Sequence, residues 1–216
     1  MLRTLQNLFG GKKNYGEPII IVSGLPRSGT SMMMKMLDAA GIPIMTDAIR
    51  TADDDNPKGY FEFERVKDLE KEQDRSWVRE ARGKALKVIS WLLKDLPDDN
   101  EYWIVFMRRD IDEVLASQNK MLVNRGEEDA TDDAIMAEAY RNHLASVRIM
   151  GRKKPNWRLV EIRYDESVKN PASVAKTVNA FLGGRYDERR MLEAVDAKLY
   201  RNRKEGLPAK SEAGAS

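Results

Sequence analysis

The chain has no cysteine and a single histidine, His143. Without cysteine there is no disulfide, no thiolate zinc site and no cysteine nucleophile, and the composition suits a reducing compartment. One histidine excludes an HExxH zinc site and leaves any Ser-His-Asp triad resting on that residue. Long apolar runs are missing as well. The longest stretch free of charge is nine residues, Pro18 to Pro26, far short of a bilayer span. The first residues lack the apolar core of a secretory signal. Neither sign of charge dominates: 37 basic and 35 acidic side chains leave a net charge of +2, which by itself argues for no nucleic-acid partner. What remains is 216 residues, 42% hydrophobic and 33% charged. One soluble, cytoplasmic domain without a transmembrane segment is expected.

No internal repeat or low-complexity tract interrupts the chain. Residues 1–17 form a basic N-terminal lead carrying Leu2, Leu5, Leu8 and Phe9. It reads as a frayed terminus or a helix packed on its own domain, with docking on a membrane or partner as the alternative. Residues 205–216 read as a flexible tail, which leaves 18–204 as the single domain. Within it strand and helix signals alternate. Strands are expected at Ile19 to Val22, Ala85 to Ile89, Trp103 to Met107 and Arg158 to Ile162, and helices at 31–40, 111–123, 132–150 and 171–182. Asn170 and Pro171 open the last helix and Gly183-Gly184 close it. The segment Phe63 to Arg82 reads as a further, charged helix, and Thr46 to Gly59 as a long irregular loop of the kind that lies over a site. The order predicts an α/β fold. With the loop described next, it is a P-loop-type three-layer sandwich with a central, mainly parallel sheet flanked by helices.

Directly after the first strand come Gly24-Leu25-Pro26-Arg27-Ser28-Gly29-Thr30-Ser31 and then a helix. Such a turn aims backbone N–H groups at one point, and the helix dipole favours an anion there. Arg27 adds a planar cation suited to phosphate or sulfate oxygens, and Thr30 and Ser31 add hydroxyls. The Gly24 to Gly29 spacing matches GxxxxGK[ST], but Thr30 stands where that pattern needs lysine. This counts against ATP or GTP hydrolysis, which uses that lysine on the phosphates.

The loop resembles that of the sulfotransferase family, which reads like PRSGTS or PKSGTT. The resemblance implies 3′-phosphoadenosine 5′-phosphosulfate (PAPS) as donor and co-substrate, with Arg27, Ser28, Gly29, Thr30 and Ser31 on its 5′-phosphosulfate and no metal. It also implies an arginine after a later strand and a serine eight positions on, both holding the 3′-phosphate. Arg109 and Ser117 have that spacing. Arg163-Tyr164-Asp165-Glu166 is similar to a family segment whose tyrosine lines the adenine pocket, which assigns Tyr164. Leu199 to Arg203 is similar to a bacterial segment whose arginine approaches the nucleotide, which assigns Arg201. Lys87 takes the place of a lysine that acts with Arg27 on the leaving group. The resemblance spans about residues 19–203.

Many members place a histidine base just after the lysine strand. Here Ser90 follows it, and His143, far downstream, reads as a surface or structural residue. Other members use a glutamate, and Asn56-Pro57-Lys58-Gly59-Tyr60-Phe61-Glu62 resembles the NPKGYFE stretch of bacterial sulfotransferase-like proteins. Glu62 is therefore the expected base, with Glu64 and Asp47 as rivals. Asp53-Asp54-Asp55 reads as solvated rather than metal-binding. The expected activity is in-line, metal-independent transfer of a sulfuryl group from PAPS to a hydroxyl or amine of an acceptor the sequence does not encode legibly. The alternatives are a P-loop nucleotide kinase or NTPase with an altered loop, and a non-catalytic nucleotide-binding relative.

Overall fold

The computed structural model describes residues 15–47, 61–126 and 132–195. The N-terminal lead up to residue 14, most of the loop over 46–59 with Asp53-Asp54-Asp55 and Tyr60, the segment around Arg201 and the C-terminal tail lie outside the described residues.

The first strand, β1 (Ile19–Gly24), is buried along its whole length, as a continuous β-branched run demands when both sheet faces are covered. It pairs in parallel with β2 (Ala85–Lys87) on one side and β3 (Tyr102–Arg108) on the other, and β3 pairs in parallel with β4 (Trp157–Arg163). The order is β2-β1-β3-β4. The chain leaves β1 toward β2 and then returns across β1 to β3, so the strand order reverses between β1 and β3, where open α/β sheets bind ligands. Register brings the strand ends level. Gly24 lies opposite Met107, and Arg108 opposite Arg163, so the phosphate loop, Arg109 and Tyr164 leave the sheet along one edge.

Alternation along each strand divides the core in two. Ile19, Ile21, Tyr102, Ile104 and Phe106 face α2 (Ile111–Arg125) and α3 (Asp133–Lys153). Ile20, Val22, Val105 and Met107 face α1 (Thr30–Ala39), α5 (Pro171–Phe181) and α6 (Glu188–Glu193). A short α4 (Tyr164–Lys169) joins β4 to α5. In α3 the buried Ala137, Tyr140, Leu144 and Val147 recur at helical spacing. Asp110 and Asp132 cap α2 and α3 by accepting hydrogen bonds from Asp112 N (3.0 Å) and Ala134 N (2.6 Å).

Two local expectations differ. Asn170 precedes α5, but its side chain makes no cap; it donates to Glu166 Oε2 at 2.8 Å instead. The charged segment 63–82 is not one helix but two short 3₁₀ turns, Glu64–Asp68 and Ser76–Ala81. Between them Arg75 donates to the carbonyls of Glu72, Asp95 and Glu70, and Asp74 accepts from Ser76 N. These bonds take the backbone groups that a continuous helix would have used.

Phe106 is 1% exposed, in the core between β3 and the helices α2 and α3. Phe106→Ala should lower unfolding free energy by about 3–5 kcal/mol, read as a fall in the urea midpoint. A loss below about 1 kcal/mol would mean that this layer is not packed as described.

Candidate functional site

The loop after β1 is a tight cradle. The hydroxyl of Ser28 donates to Leu25 O at 2.6 Å, and a side chain at Gly24 would strike Ser28 Oγ and the carbonyl of Met107. Gly29, at φ 96°, precedes α1, which has neither a side-chain cap nor an acidic residue in its first turn. Its leading N–H groups are therefore disposed toward an anion in the loop. The ring of Tyr164 packs where a Cβ on Gly29 would stand, so that position requires glycine on both counts.

Arg27 has left-handed backbone (φ 65°) without being glycine, a strain that persists only where the surroundings hold it. Its carbonyl accepts from Arg109 Nη1 at 3.0 Å, and its own Nε donates to Ser117 Oγ at 3.0 Å. Asp110, the N-cap of α2, follows Arg109 directly and opens the helix that carries Ser117, and both residues bond Arg27. Arg109 also donates through Nε to Glu113 Oε2 at 3.0 Å, and its guanidinium lies 4.6 Å from the Tyr164 ring centroid. Tyr164 is buried, which pushes its phenol up from the usual range. The structure places it beneath the loop, between Gly29 and Arg109.

A second cluster flanks the loop. Lys87, at the end of β2, donates to Ser31 Oγ (3.2 Å) and to Glu62 Oε1 (3.1 Å). Glu62 Oε2 also lies 3.7 Å from Lys67 Nζ. The Lys87 and Glu62 side chains are only 15% and 18% exposed. The preceding residue, Phe61, is left-handed (φ 51°) and turns the chain into this position. The two rivals of Glu62 do other work. Asp47 Oδ2 accepts from the backbone N–H of Glu64 at 2.6 Å, and the Glu64 side chain pairs with exposed Lys67.

A family model described as the sulfotransferase domain matches residues 17–213. The chain belongs to the sulfotransferase domain family. Among solved structures it is similar to the sulfotransferase domain from the Synechococcus PCC 7002 olefin synthase. That match has 17% identity and a TM-score of 0.53, covering 84% of this chain and 78% of that one. The sulfotransferase domain from the curacin biosynthetic pathway is similar at 14% identity and a TM-score of 0.50, covering 83% and 78%. At these identities the likeness shows the fold. No curated protein sequence matches.

This sulfotransferase brings together all the described site residues that its sequence singled out: Arg27, Ser28, Gly29, Thr30, Ser31, Glu62, Lys87, Arg109, Ser117 and Tyr164. Arg201 lies outside the described residues. Among the described residues no His, Asp and Glu group has metal-holding geometry, and no helix is long and apolar enough to cross a membrane. Sequence reasoning passed over Glu113, although its i,i+4 spacing from Arg109 was a legible pairing signal. It also gave no sign that α3 carries His143 to the turn after β2. There Nε2 meets Ser90 Oγ at 2.9 Å, and the ring stacks flat on Trp91 with centroids 4.0 Å apart.

Burial holds the His143 imidazole below its ordinary value of 6.5. The folded state therefore favours the neutral ring. Its contribution to stability is present in full above about pH 6.5 and declines as pH falls toward the lower folded value. His143→Gln should flatten the change in urea midpoint between about pH 7 and about pH 5. Equal slopes in the two proteins would count against this.

Proposed function

We propose that this sulfotransferase takes its sulfuryl group from PAPS and passes it in line to a hydroxyl or amine. The observation that carries the reading is convergence. Arg109 and Ser117, 82 and 90 residues after Arg27, both bond to it within the phosphate loop. A nucleotide with phosphate at both ends fits such an arrangement. The loop amides, Ser28, Thr30 and Ser31 would hold the 5′ end, and Arg109 and Ser117 the 3′-phosphate. Tyr164 would support the loop from below. The glycine cradle and three cations fit the group's charge. Thr30 in place of a loop lysine argues against a nucleoside triphosphate, and the lack of cysteine supports a reducing, cytoplasmic setting.

The donor, when bound, supplies a sulfuryl group on a phosphate leaving group. Glu62 takes the proton from the acceptor's attacking atom as the new bond to sulfur forms. Lys87 and Arg27 neutralise the bridging oxygen as its bond to sulfur breaks. Lys87 stands between Ser31 at the loop and Glu62, so the cation for the leaving group and the base for the acceptor are neighbours. These two cations supply the positive charge at the leaving group without a metal.

Arg109→Ala should weaken binding of adenosine 3′,5′-bisphosphate by about a hundredfold, the scale of a lost charge-assisted contact, and that of AMP, which would feel only the loosened hold on the Arg27 carbonyl, by no more than about tenfold. Calorimetric titration reads both, and equal losses would refute the 3′-phosphate role. Glu62→Gln should slow donor turnover, followed as transfer to water or any acceptor, by about 10²–10⁴, with bisphosphate affinity within about twofold. An unchanged rate would remove Glu62 as base. ATP binding dependent on Mg²⁺, with no binding of the bisphosphate, would favour the kinase reading.

A further inference from the structure

A buried carboxylate stands inside the arginine–serine pair that the proposed function gives to the 3′-phosphate. Glu113 belongs to the first turn of α2, where the helix N-terminus favours acidic side chains. Yet it does not face water. Its side chain is 5% exposed and that of Arg109 7%, so the pair is almost fully withdrawn from solvent. Glu113 and Ser117 are four residues apart on one helix, which puts them one turn apart on the same face. Arg109 serves both positions: its Nε bonds Glu113, while its Nη1 bonds the carbonyl of Arg27, whose side chain bonds Ser117.

We propose that Glu113 is an internal rival of the nucleotide's 3′-phosphate for Arg109, and that it sets how tightly nucleotide is held and how readily it leaves. The inference rests on the donor assignment made above. A phosphate monoester carries about −1.5 to −2 charges near neutral pH. Bound to Arg109 and Ser117, it would lie beside a carboxylate with little water between them, where like charges repel strongly. Before nucleotide binds, the same carboxylate gives the buried guanidinium a counter-charge, which a buried cation requires. Glu113 thus keeps Arg109 ordered before binding and opposes the anion after it. The trade lowers affinity for donor and product alike. For an enzyme whose product keeps both phosphates, that favours turnover over retention.

Glu113→Gln keeps the shape and a hydrogen-bond acceptor for Arg109 Nε but removes the charge. The expected result is about tenfold tighter binding of adenosine 3′,5′-bisphosphate, equivalent to about 1.4 kcal/mol. Affinity for AMP, which has no 3′-phosphate, should stay within about twofold. Unchanged or weaker bisphosphate binding would overturn the proposal and make Glu113 only a positioning residue for Arg109. A wild-type protein that binds bisphosphate and AMP equally would instead overturn the 3′-phosphate assignment and the proposal with it. The second measurement needs no altered carboxylate. In ¹⁵N-labelled wild-type protein, the Arg109 Nε–H resonance, identified by its loss in Arg109→Lys, should shift on adding the bisphosphate and stay in place on adding AMP. A resonance that the bisphosphate leaves unmoved means that Glu113 keeps its partner, and the proposal fails even if Glu113→Gln does not fold.

Discussion

The site depends first on the bond from Arg109 to the carbonyl of Arg27. Arg27 sits in a left-handed conformation that costs a non-glycine residue on the order of 1–3 kcal/mol. It is held there from outside its own loop: by Arg109 on its carbonyl, Ser117 on its guanidinium, and the Ser28 and Leu25 turn that follows and precedes it. Arg109 is in turn held by Glu113 and laid over Tyr164, whose ring fills the space a side chain on Gly29 would need. The loop's shape is therefore imposed by the ends of β3 and β4 as much as by its own glycines. Level strand ends are the precondition, and the pairing of Gly24 with Met107 and of Arg108 with Arg163 supplies them.

The electrostatics have one repeated form. Two cations of the site have an acidic neighbour within hydrogen-bonding distance: Lys87 with Glu62, and Arg109 with Glu113. An unpaired cation at that depth would be costly, and pairing offsets the desolvation. The two pairs differ in consequence. In the proposed reaction Glu62 takes the acceptor's proton, so its charge has a chemical use. In the proposal for Glu113 no proton moves, and its charge acts on binding alone.

Much of this was legible before the fold. β1, β3, β4 and the four long helices follow from apolar periodicity, and the phosphate loop from glycine spacing between a strand and a helix. Arg109 and Ser117 could be paired only by resemblance, because nothing in an eight-residue interval shows that a helix start will turn both toward Arg27. The segment 63–82 misled for a physical reason. Val66, Leu69, Trp77, Val78 and Ala81 are all buried, but the polar run between them is tied down by Arg75 and Asp74 rather than by helical hydrogen bonds. Sequence neighbours alone favour Glu62 over Glu64 and Asp47 as base. In the structure all three are partnered: Glu62 with Lys87, Asp47 with a backbone amide and Glu64 with a surface lysine.

The place of His143 in the fold was not legible in the sequence. Its helix, α3, lies more than forty residues beyond Ser90, yet it meets the turn that follows Lys87. The ring contributes a flat apolar face to Trp91 and one polar contact to a buried hydroxyl. Burial that depresses its basicity suits a neutral plate between elements. That plate joins α3 to the chain three residues after Lys87, as Tyr164 joins β4 to the phosphate loop and Arg109 joins β3 to Arg27. Arg27 and the loop that carries it are thus braced by side chains from the ends of β3 and β4 and from α2. The proposed reaction, with a donor's two phosphates and an acceptor's proton to be placed together, would call for bracing of this kind, since errors of about an ångström at a reacting centre are costly to rate.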